Sequence, residues 1–313
     1  MSTDINFSFV RHGYACHNAV KGLIKTDTLS LFKAQSFIKT DEMIDPPLTQ
    51  VGVDASIHNG CVVSNIIKSI PELQNTNLNL NLKNINVIGC SPLIRCMETA
   101  YFMSRNWKNP PNKIYVFPHL REIDESSKDK FLKESRIKID NKPYYAMKDI
   151  KDQKKYLEKI GILQFFDFTF VEKFSKERME PGDINNFIQW FITYFIGSKI
   201  YLTENINVFI VTHAGVLHDF LKNTSFINNS GFLLNTSIYH QTKNIKINDY
   251  YSFIPYLNMF HFYNDYKTIN TKEYFCPSDR CGNLCDIAKG PPNNNEIKHI
   301  ETTTKCEIQS DTE

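Results

Sequence analysis

The sequence has no strong excess of charge of either sign and no long hydrophobic run. Its 313 residues include 36 Lys and Arg against 34 Asp and Glu, which gives a formal net charge of +2. This near balance argues against a protein that binds nucleic acid through bulk positive charge, although not against a local basic patch. No run approaches the roughly eighteen apolar residues of a membrane span, and Asp4 stands where a secretory signal has a basic residue. We therefore expect no nucleic-acid partner, no membrane partner and a cytoplasmic location.

Cysteine is also scarce. Eight cysteines are too few for a disulfide framework in a chain of this length. We expect ordinary thiols, with Cys16 and Cys96 as passive side chains. A zinc knuckle is an alternative for a group near the C-terminus, although its spacing is irregular; this group contains Cys276, Cys281, Cys285, His299 and Cys306.

Apolar residues make up 42% of the chain and aromatic residues 13%, which is enough to bury a sizeable core. Runs typical of strands covered on both faces alternate with segments of helical spacing. The predicted strands are 5–10, 85–90, 114–117 and 208–212, and the predicted helices are 56–69, 93–106 and 184–196. This alternation predicts an α/β fold, a three-layer αβα arrangement around a mostly parallel sheet.

The pattern weakens between residues 126 and 179. Lys128–Arg178 contains 14 Lys and Arg against 9 Asp and Glu. We predict a helical insertion there that caps the site and favours an anionic phosphoester, with an ordinary solvated helical face as the alternative. After Lys289 the chain has too few apolar residues to fold. The prediction is one domain over 1–289, which includes the insertion, and a disordered tail over 290–313.

Polar residues follow each predicted strand. They are Arg11, His12 and Asn18 after the first strand, Arg95 after the second, Glu122 after the third and His213 after the fourth. Ligands of open α/β sheets bind beyond the carboxyl ends of the strands, so we expect these residues to converge. Two guanidinium groups aimed at one point indicate a phosphoryl group. An imidazole there can attack phosphorus, and a carboxyl group can protonate the departing oxygen.

The string Arg11-His12-Gly13, followed by Asn18, resembles the opening motif of the histidine phosphatase superfamily, in its phosphoglycerate mutase-like branch. Further blocks that resemble this family follow in order between residues 5 and 240: Pro47-Leu48-Thr49 with Gly52, Ser91-Pro92-Leu93 with Arg95, Thr99-Ala100, Leu120-Arg121-Glu122, Pro181-Gly182, Thr212-His213-Ala214-Gly215 and Asn235-Thr236-Ser237.

The resemblance implies the phosphoglycerate mutase-like fold and a phosphomonoester hydrolase that needs no metal and no cofactor. It implies that His12 forms a phosphohistidine and that Glu122 protonates the leaving group, after which water releases phosphate. The groups implied to hold the phosphate are Arg11, Asn18, Arg95 and His213. The substrate would be a phosphoester of a small molecule or of a protein.

Departures from the family pattern leave alternatives open. His17 replaces a common Trp, and the Gly and aromatic residues that usually follow the acid are missing after Glu122. Glu125 is the alternative acid, and Asn18 also suits a turn. A phosphoglycerate mutase-type phosphotransferase is one alternative function. A catalytically inactive phospholigand-binding module is another, although none of the expected catalytic residue types has been lost.

Overall fold

A computed structural model describes residues 2–25, 31–66, 85–107, 109–123, 147–174, 182–197, 206–221, 238–246, 253–256 and 279–281. The strands are β1 Ser2–Arg11, β2 Val87–Cys90, β3 Ile114–Val116, β4 Phe166–Asp167, β5 Ile206–Thr212, β6 Ile238–Lys246 and β7 Phe253–Tyr256. The helices are α1 Cys16–Lys25, α2 Leu31–Ile38, α3 Gln50–Ile66, α4 Ile94–Ser104, α5 Ile150–Lys159, α6 Thr169–Phe174, α7 Ile184–Trp190 and α8 Ala214–Leu221. A π-helical turn over Phe191–Ile196 continues α7.

The seven strands form one sheet in the order β4-β3-β2-β5-β1-β6-β7. The five strands from β4 to β1 in this order are mutually parallel, whereas β6 runs antiparallel to β1 and β7 runs antiparallel to β6. Parallel neighbours need crossover connections, which the helices between the strands supply. The predicted α/β fold with a mostly parallel sheet is confirmed.

Alternate side chains of the central strands pack into two separate cores. In β5, Phe209 and Val211 join one cluster with α4, α5 and α6. Val208 and Ile210 join the other cluster with α7 and α8. Since successive strand residues point to opposite faces of a sheet, this division places helices on both sides. The three-layer αβα arrangement follows from it.

The predicted strands correspond to β1, β2, β3 and β5, whereas the other three strands of the described residues are not predicted from the sequence. The strand β4 is only two residues long, and β6 contains few apolar residues. A search for apolar runs therefore finds neither of them. Among the described residues, no helix has both the length and the apolar character to cross a membrane.

Residues 147–174 are the described part of the predicted insertion. β4 extends the sheet beside β3, and Leu157 of α5 and Val171 of α6 are fully buried in the core. These apolar residues pack against the sheet, which joins this segment to the main layers, and a cap over the site stays a prediction. The rest of the predicted insertion and the whole predicted tail over 290–313 lie outside the described residues.

The structure corrects one expectation about the cysteines. Cys16 is not a passive thiol but forms a disulfide with Cys281, 265 residues further along the chain. Only the fold brings these two residues together, so their spacing in the sequence gave no sign of the pairing. The disulfide also removes Cys281 from the zinc-knuckle alternative, whose other members lie outside the described residues. Cys90 and Cys96 are free and buried.

Candidate active site at the carboxyl ends of the strands

His12 lies directly after β1 and is almost fully buried. Its backbone N–H donates to the Thr212 carbonyl at 2.9 Å, which joins the ends of β1 and β5. Its Nδ1 lies 2.7 Å from the Gly13 carbonyl oxygen. Because a carbonyl only accepts hydrogen bonds, Nδ1 carries the proton and Nε2 of the neutral ring keeps its lone pair. Nε2 is therefore the nitrogen able to act as a nucleophile.

Several of the sequence blocks hold the loop that follows His12. The Gly13 N–H donates to Thr99 Oγ1 at 2.9 Å. The Tyr14 carbonyl accepts from both the N–H and the hydroxyl of Thr49, each at 2.9 Å. Gly52 lies so close to this carbonyl that a methyl group on it would collide with the oxygen. These contacts explain the Thr and Gly positions of the motif as supports of the loop.

His213 follows β5 and faces the same point. Its ring centroid lies 5.2 Å from that of His12. Its Nε2 is 2.7 Å from Ser91 Oγ, and its Nδ1 is 3.3 Å from Glu122 Oε2. Since a carboxylate only accepts, this geometry favours Nδ1–H as a donor into the site, with Nε2 accepting from the Ser91 hydroxyl.

Burial holds the pKa of His213 well below its usual range, and the electrostatic influences of Arg95, His12 and Arg11 lower it further. His213 is therefore neutral at pH 7 and acts as a hydrogen-bond donor, not as a fixed cation. The permanent positive charge of the site comes from the two arginines. Arg11 ends β1 opposite Thr212, which brings it to this same rim.

Arg95 and Glu122 complete the cluster. The Arg95 side chain is fully buried in the first turn of α4, and its Nη2 lies 3.9 Å from Glu122 Oε2. Glu122 is buried, with 8% of its side chain exposed. Its Oε1 accepts from the Ile123 N–H at 3.2 Å. The carboxyl group of Glu122 thus lies close to both Arg95 and His213.

The Glu122 loop is fixed from the neighbouring chain segment. The Gly182 N–H donates to the Arg121 carbonyl at 2.9 Å, and the Asp183 N–H donates to the His119 carbonyl at 3.1 Å. A methyl group on Gly182 would collide with the Arg121 oxygen. A glycine at position 182 therefore lets this segment pack closely against the loop that carries Glu122.

Asp45 is a buried carboxylate behind Arg95 that the sequence analysis missed. It has a left-handed backbone with φ of 48°. Its Oδ1 accepts from the Ile94 N–H at 2.7 Å and its Oδ2 from Gln153 at 2.7 Å. Burial raises its pKa, while Gln153 and the charge of Arg95 oppose the rise. Asp45 thus holds the start of the helix that carries Arg95, and no spacing rule in the sequence indicates this.

The position of Asn18 matches the turn alternative. Its Oδ1 accepts from the Ala15 N–H at 3.0 Å, as in a helix N-terminal capping box. Only its amide NH₂ is then available to a substrate, so phosphate binding by Asn18 stays a prediction. His17, which was noted only as a departure, is buried with its ring 5.6 Å from that of His12. Glu125 and the 235–237 block lie outside the described residues.

Metal-ligating atoms are also present at this point. The ligand atoms of His12, Glu122 and His213 all lie within 4.8 Å of one another. The buried guanidinium group of Arg95 beside Glu122 repels a cation and attracts an anion. Among the described residues, the chemistry of this cluster therefore suits a phosphoryl group better than a metal ion.

No family model matches the chain, and no curated protein matches it. Solved structures do align with it. A phosphoglycerate mutase from Bacillus anthracis is 15% identical over 77% of this chain and 88% of its own, with a TM-score of 0.39. A phosphoserine phosphatase from Entamoeba histolytica, in complex with 3-phosphoglyceric acid, is 16% identical over 82% of this chain and 96% of its own, with a TM-score of 0.34.

A mycobacterial glucosyl-3-phosphoglycerate phosphatase complexed with VO3 is 12% identical over 82% of this chain and 98% of its own, with a TM-score of 0.35. The resemblance to the histidine phosphatase superfamily therefore rests on the sequence motifs. At such identities and TM-scores, nothing about substrate or reaction passes from these proteins to this chain.

Proposed function

We propose that this protein is a phosphomonoester hydrolase that works through a phosphohistidine and needs no metal ion. The observation that carries the proposal is the orientation of His12. Its Nδ1 is engaged by the Gly13 carbonyl, which leaves the lone pair on Nε2. Ligating atoms of His12, His213 and Glu122 lie within 4.8 Å of one another, and Arg95 lies 3.9 Å from Glu122. A nucleophile, two phosphate-binding groups and an acid then lie around one point.

In the first step, Nε2 of His12 attacks phosphorus and the bond from phosphorus to the ester oxygen breaks. Glu122, in its protonated form, gives its proton to the departing oxygen, so the product leaves as a neutral alcohol. Arg11, Arg95 and the neutral donor His213 stabilise the negative charge on the equatorial oxygens of the transition state. Asn18 can add its amide NH₂.

In the second step, water attacks the phosphohistidine on the same phosphorus atom. The Glu122 carboxylate takes a proton from the water, the bond from phosphorus to Nε2 breaks and inorganic phosphate leaves. His12 returns to its starting state, and Glu122 is protonated for the next cycle. A phosphoglycerate mutase-type phosphotransferase would share the first step but pass the phosphoryl group to a substrate hydroxyl, so the acceptor separates the two functions.

We further propose that the substrate is an anionic phosphoester of a small molecule or a protein. The excess of 14 Lys and Arg over 9 Asp and Glu in Lys128–Arg178 supports this preference. A cytoplasmic location is part of the same proposal. The Cys16–Cys281 disulfide weighs against it, because disulfides persist mainly in oxidising compartments. Cells can be fractionated without reductant and the free thiols of the protein alkylated in each fraction. The fraction that contains the protein gives its location, and protection of Cys16 and Cys281 from alkylation shows that they form the disulfide.

The proposal is tested with a panel of phosphoesters that includes sugar phosphates, nucleotides, inositol phosphates and phosphopeptides. We expect wild-type protein to release orthophosphate without any bisphosphate primer and His12→Ala to release none. His58→Ala is the matched control, since His58 is an exposed histidine of α3. Phosphate transfer that requires a bisphosphate would indicate the mutase. Phosphoester binding without turnover would indicate the inactive binding module.

A further inference from the structure

A short segment from the far end of the described chain lies against the base of the site. Asp279–Cys281 forms a single 3-10 turn. Cys281 is buried and forms the disulfide with Cys16, the first residue of α1. Because Cys16 is only four residues after His12, the disulfide fixes this segment beside the loop that carries the proposed nucleophile. The segment lies beyond the blocks that resemble the family.

Arg280 connects three separate parts of the chain. Its Nε donates to the Leu48 carbonyl at 2.9 Å, and its Nη2 donates to the Tyr156 hydroxyl at 3.2 Å. The same Nη2 forms an ion pair with Glu98 Oε1. Arg280 is 19% exposed, whereas Glu98 is fully buried. The guanidinium group therefore holds together the turn before α3, helix α4 and helix α5.

Glu98 depends on this arginine for its charge. Its Oε2 accepts from the Leu48 N–H at 2.6 Å, and its Oε1 accepts from the Tyr156 hydroxyl at 2.7 Å. Burial raises the pKa of Glu98, and the charge of Arg280 is the largest influence that lowers it. Without Arg280, a carboxylate would be buried among neutral donors, which is a costly state. Protonation or movement of Glu98 would relieve this state but weaken its bond to Leu48.

The same contacts reach the loop after His12. Leu48 forms a β-bridge with Ala15. The Cys16 N–H donates to the Pro47 carbonyl at 3.1 Å. On the other side, the Gly13 N–H bonds to Thr99, the residue after Glu98 in α4. Residues 13–16 therefore contact two chain segments, the turn before α3 and helix α4. Arg280 and Glu98 join these two segments to each other.

We propose that Arg280 is a positioning residue of the phosphate site and that the Cys16–Cys281 disulfide keeps it in place. Arg280 acts through Glu98 and Leu48 on the loop after His12, and it touches no substrate. This inference rests on the proposed function of His12 as the nucleophile. The segment Asp279–Cys281 lies outside the blocks that resemble the family, and the inference gives it a role in the geometry of the site.

The test uses Arg280→Gln and two measurements on the full chain. Hydrogen exchange of peptides that cover residues 13–16, without any ligand, reports the order of the loop. Steady-state kinetics and inhibition by orthovanadate report the geometry of the phosphate site. We expect faster exchange, and we expect kcat/KM and vanadate affinity to fall together by about 10-fold to 100-fold, as displacement of a reacting group predicts.

A double variant separates positioning from a general loss of structure. Arg280→Gln with Glu98→Gln removes both buried charges, so no carboxylate is left without its cation. We expect the double variant to recover part of the vanadate affinity that Arg280→Gln loses. Lys154→Gln is the matched control. Lys154 lies on the same helix as Tyr156, and its substitution breaks an exposed ion pair with Glu172. It should change neither measurement.

A second perturbation needs no substitution. Dithiothreitol transfers two electrons and two protons to the Cys16–Cys281 disulfide and leaves as its own cyclic disulfide, while Cys90 and Cys96 are already thiols. The reduced protein should show the same faster loop exchange. Unchanged exchange and unchanged vanadate affinity, in both Arg280→Gln and the reduced wild type, would overturn the inference. If the proposed function is wrong, the wild-type protein will show neither turnover nor vanadate binding. Hydrogen exchange of residues 13–16 would in that case still test whether Arg280 orders the loop.

Discussion

The contribution of Arg95 can be predicted from its surroundings. Its guanidinium group is fully buried and lies 3.9 Å from the Glu122 carboxyl group. With an effective dielectric constant of about 20, two unit charges at this distance attract by about 4 kcal/mol. In Arg95→Gln, the carboxyl groups of Glu122 and Asp45 lose this cation. Removal of one preorganised donor to a transition state typically costs about 10² to 10³ in kcat, and we expect Arg95→Gln to show a loss of this size.

The assay is steady-state release of orthophosphate, with the inhibition constant of orthovanadate measured in parallel. Because the loss of a buried cation also destabilises the fold, Arg95→Lys is measured beside it; this variant keeps the charge but loses the planar fork that binds two oxygens. It should lie between Arg95→Gln and the wild type. Arg105→Gln, an exposed arginine just after the same helix, is the matched control. Wild-type turnover and vanadate affinity in both Arg95 variants would refute the role given to this residue.

Three further predictions concern other parts of the site. The fold lowers the pKa of His213, so below pH 6.5 the unfolded chain binds a proton at this residue that the folded chain does not bind. The free energy of unfolding should therefore decrease by up to about 1.4 kcal/mol for each unit by which the pH is lowered. Urea titrations at several pH values should show a smaller decrease for His213→Gln than for the wild type. Gly182→Ala should lower the free energy of unfolding by about 1 to 3 kcal/mol, because the new methyl group meets the Arg121 carbonyl. Gly197→Ala is the control and should change this free energy little, because the nearest atom to its new methyl group is 3.6 Å away. Equal thermal midpoints for the two variants would contradict this prediction. Glu122→Gln should slow the first step, release of the leaving group within the first turnover, far more for alkyl phosphates than for p-nitrophenyl phosphate, whose leaving group needs no proton. An equal loss of this first-turnover rate on both substrates would remove Glu122 as the acid.

The central part of the fold and the core of the site were predictable from the sequence. Buried parallel strands are apolar throughout, so β1, β2, β3 and β5 stand out, and the chemistry follows the point where each strand ends. This reasoning brings His12, Arg95, Glu122 and His213 to one edge of the sheet, where the structure places them. The supports of that edge could not be predicted in the same way.

Those supports are contacts between residues that are distant in the sequence and follow no spacing rule. Asp45 is joined to Gln153 across 108 positions, and Arg280 to Glu98 across 182. The disulfide of Cys16 spans 265. Only the completed fold creates these neighbours. The packing of residues 147–174 against the sheet was hidden for a related reason, because charged surface positions of α5 surround the few apolar residues that anchor it.

The most direct test of the account is the detection of phosphate on His12. Wild-type protein is mixed with a ³²P-labelled phosphoester that it hydrolyses, quenched within the first turnover, and digested with protease under alkaline conditions. We predict a label that is stable in alkali, is lost in acid and maps to the peptide that contains His12, with none in His12→Ala and full labelling in His58→Ala. Turnover without an acid-labile label on that peptide, or an equal label in His12→Ala, would contradict the central claim.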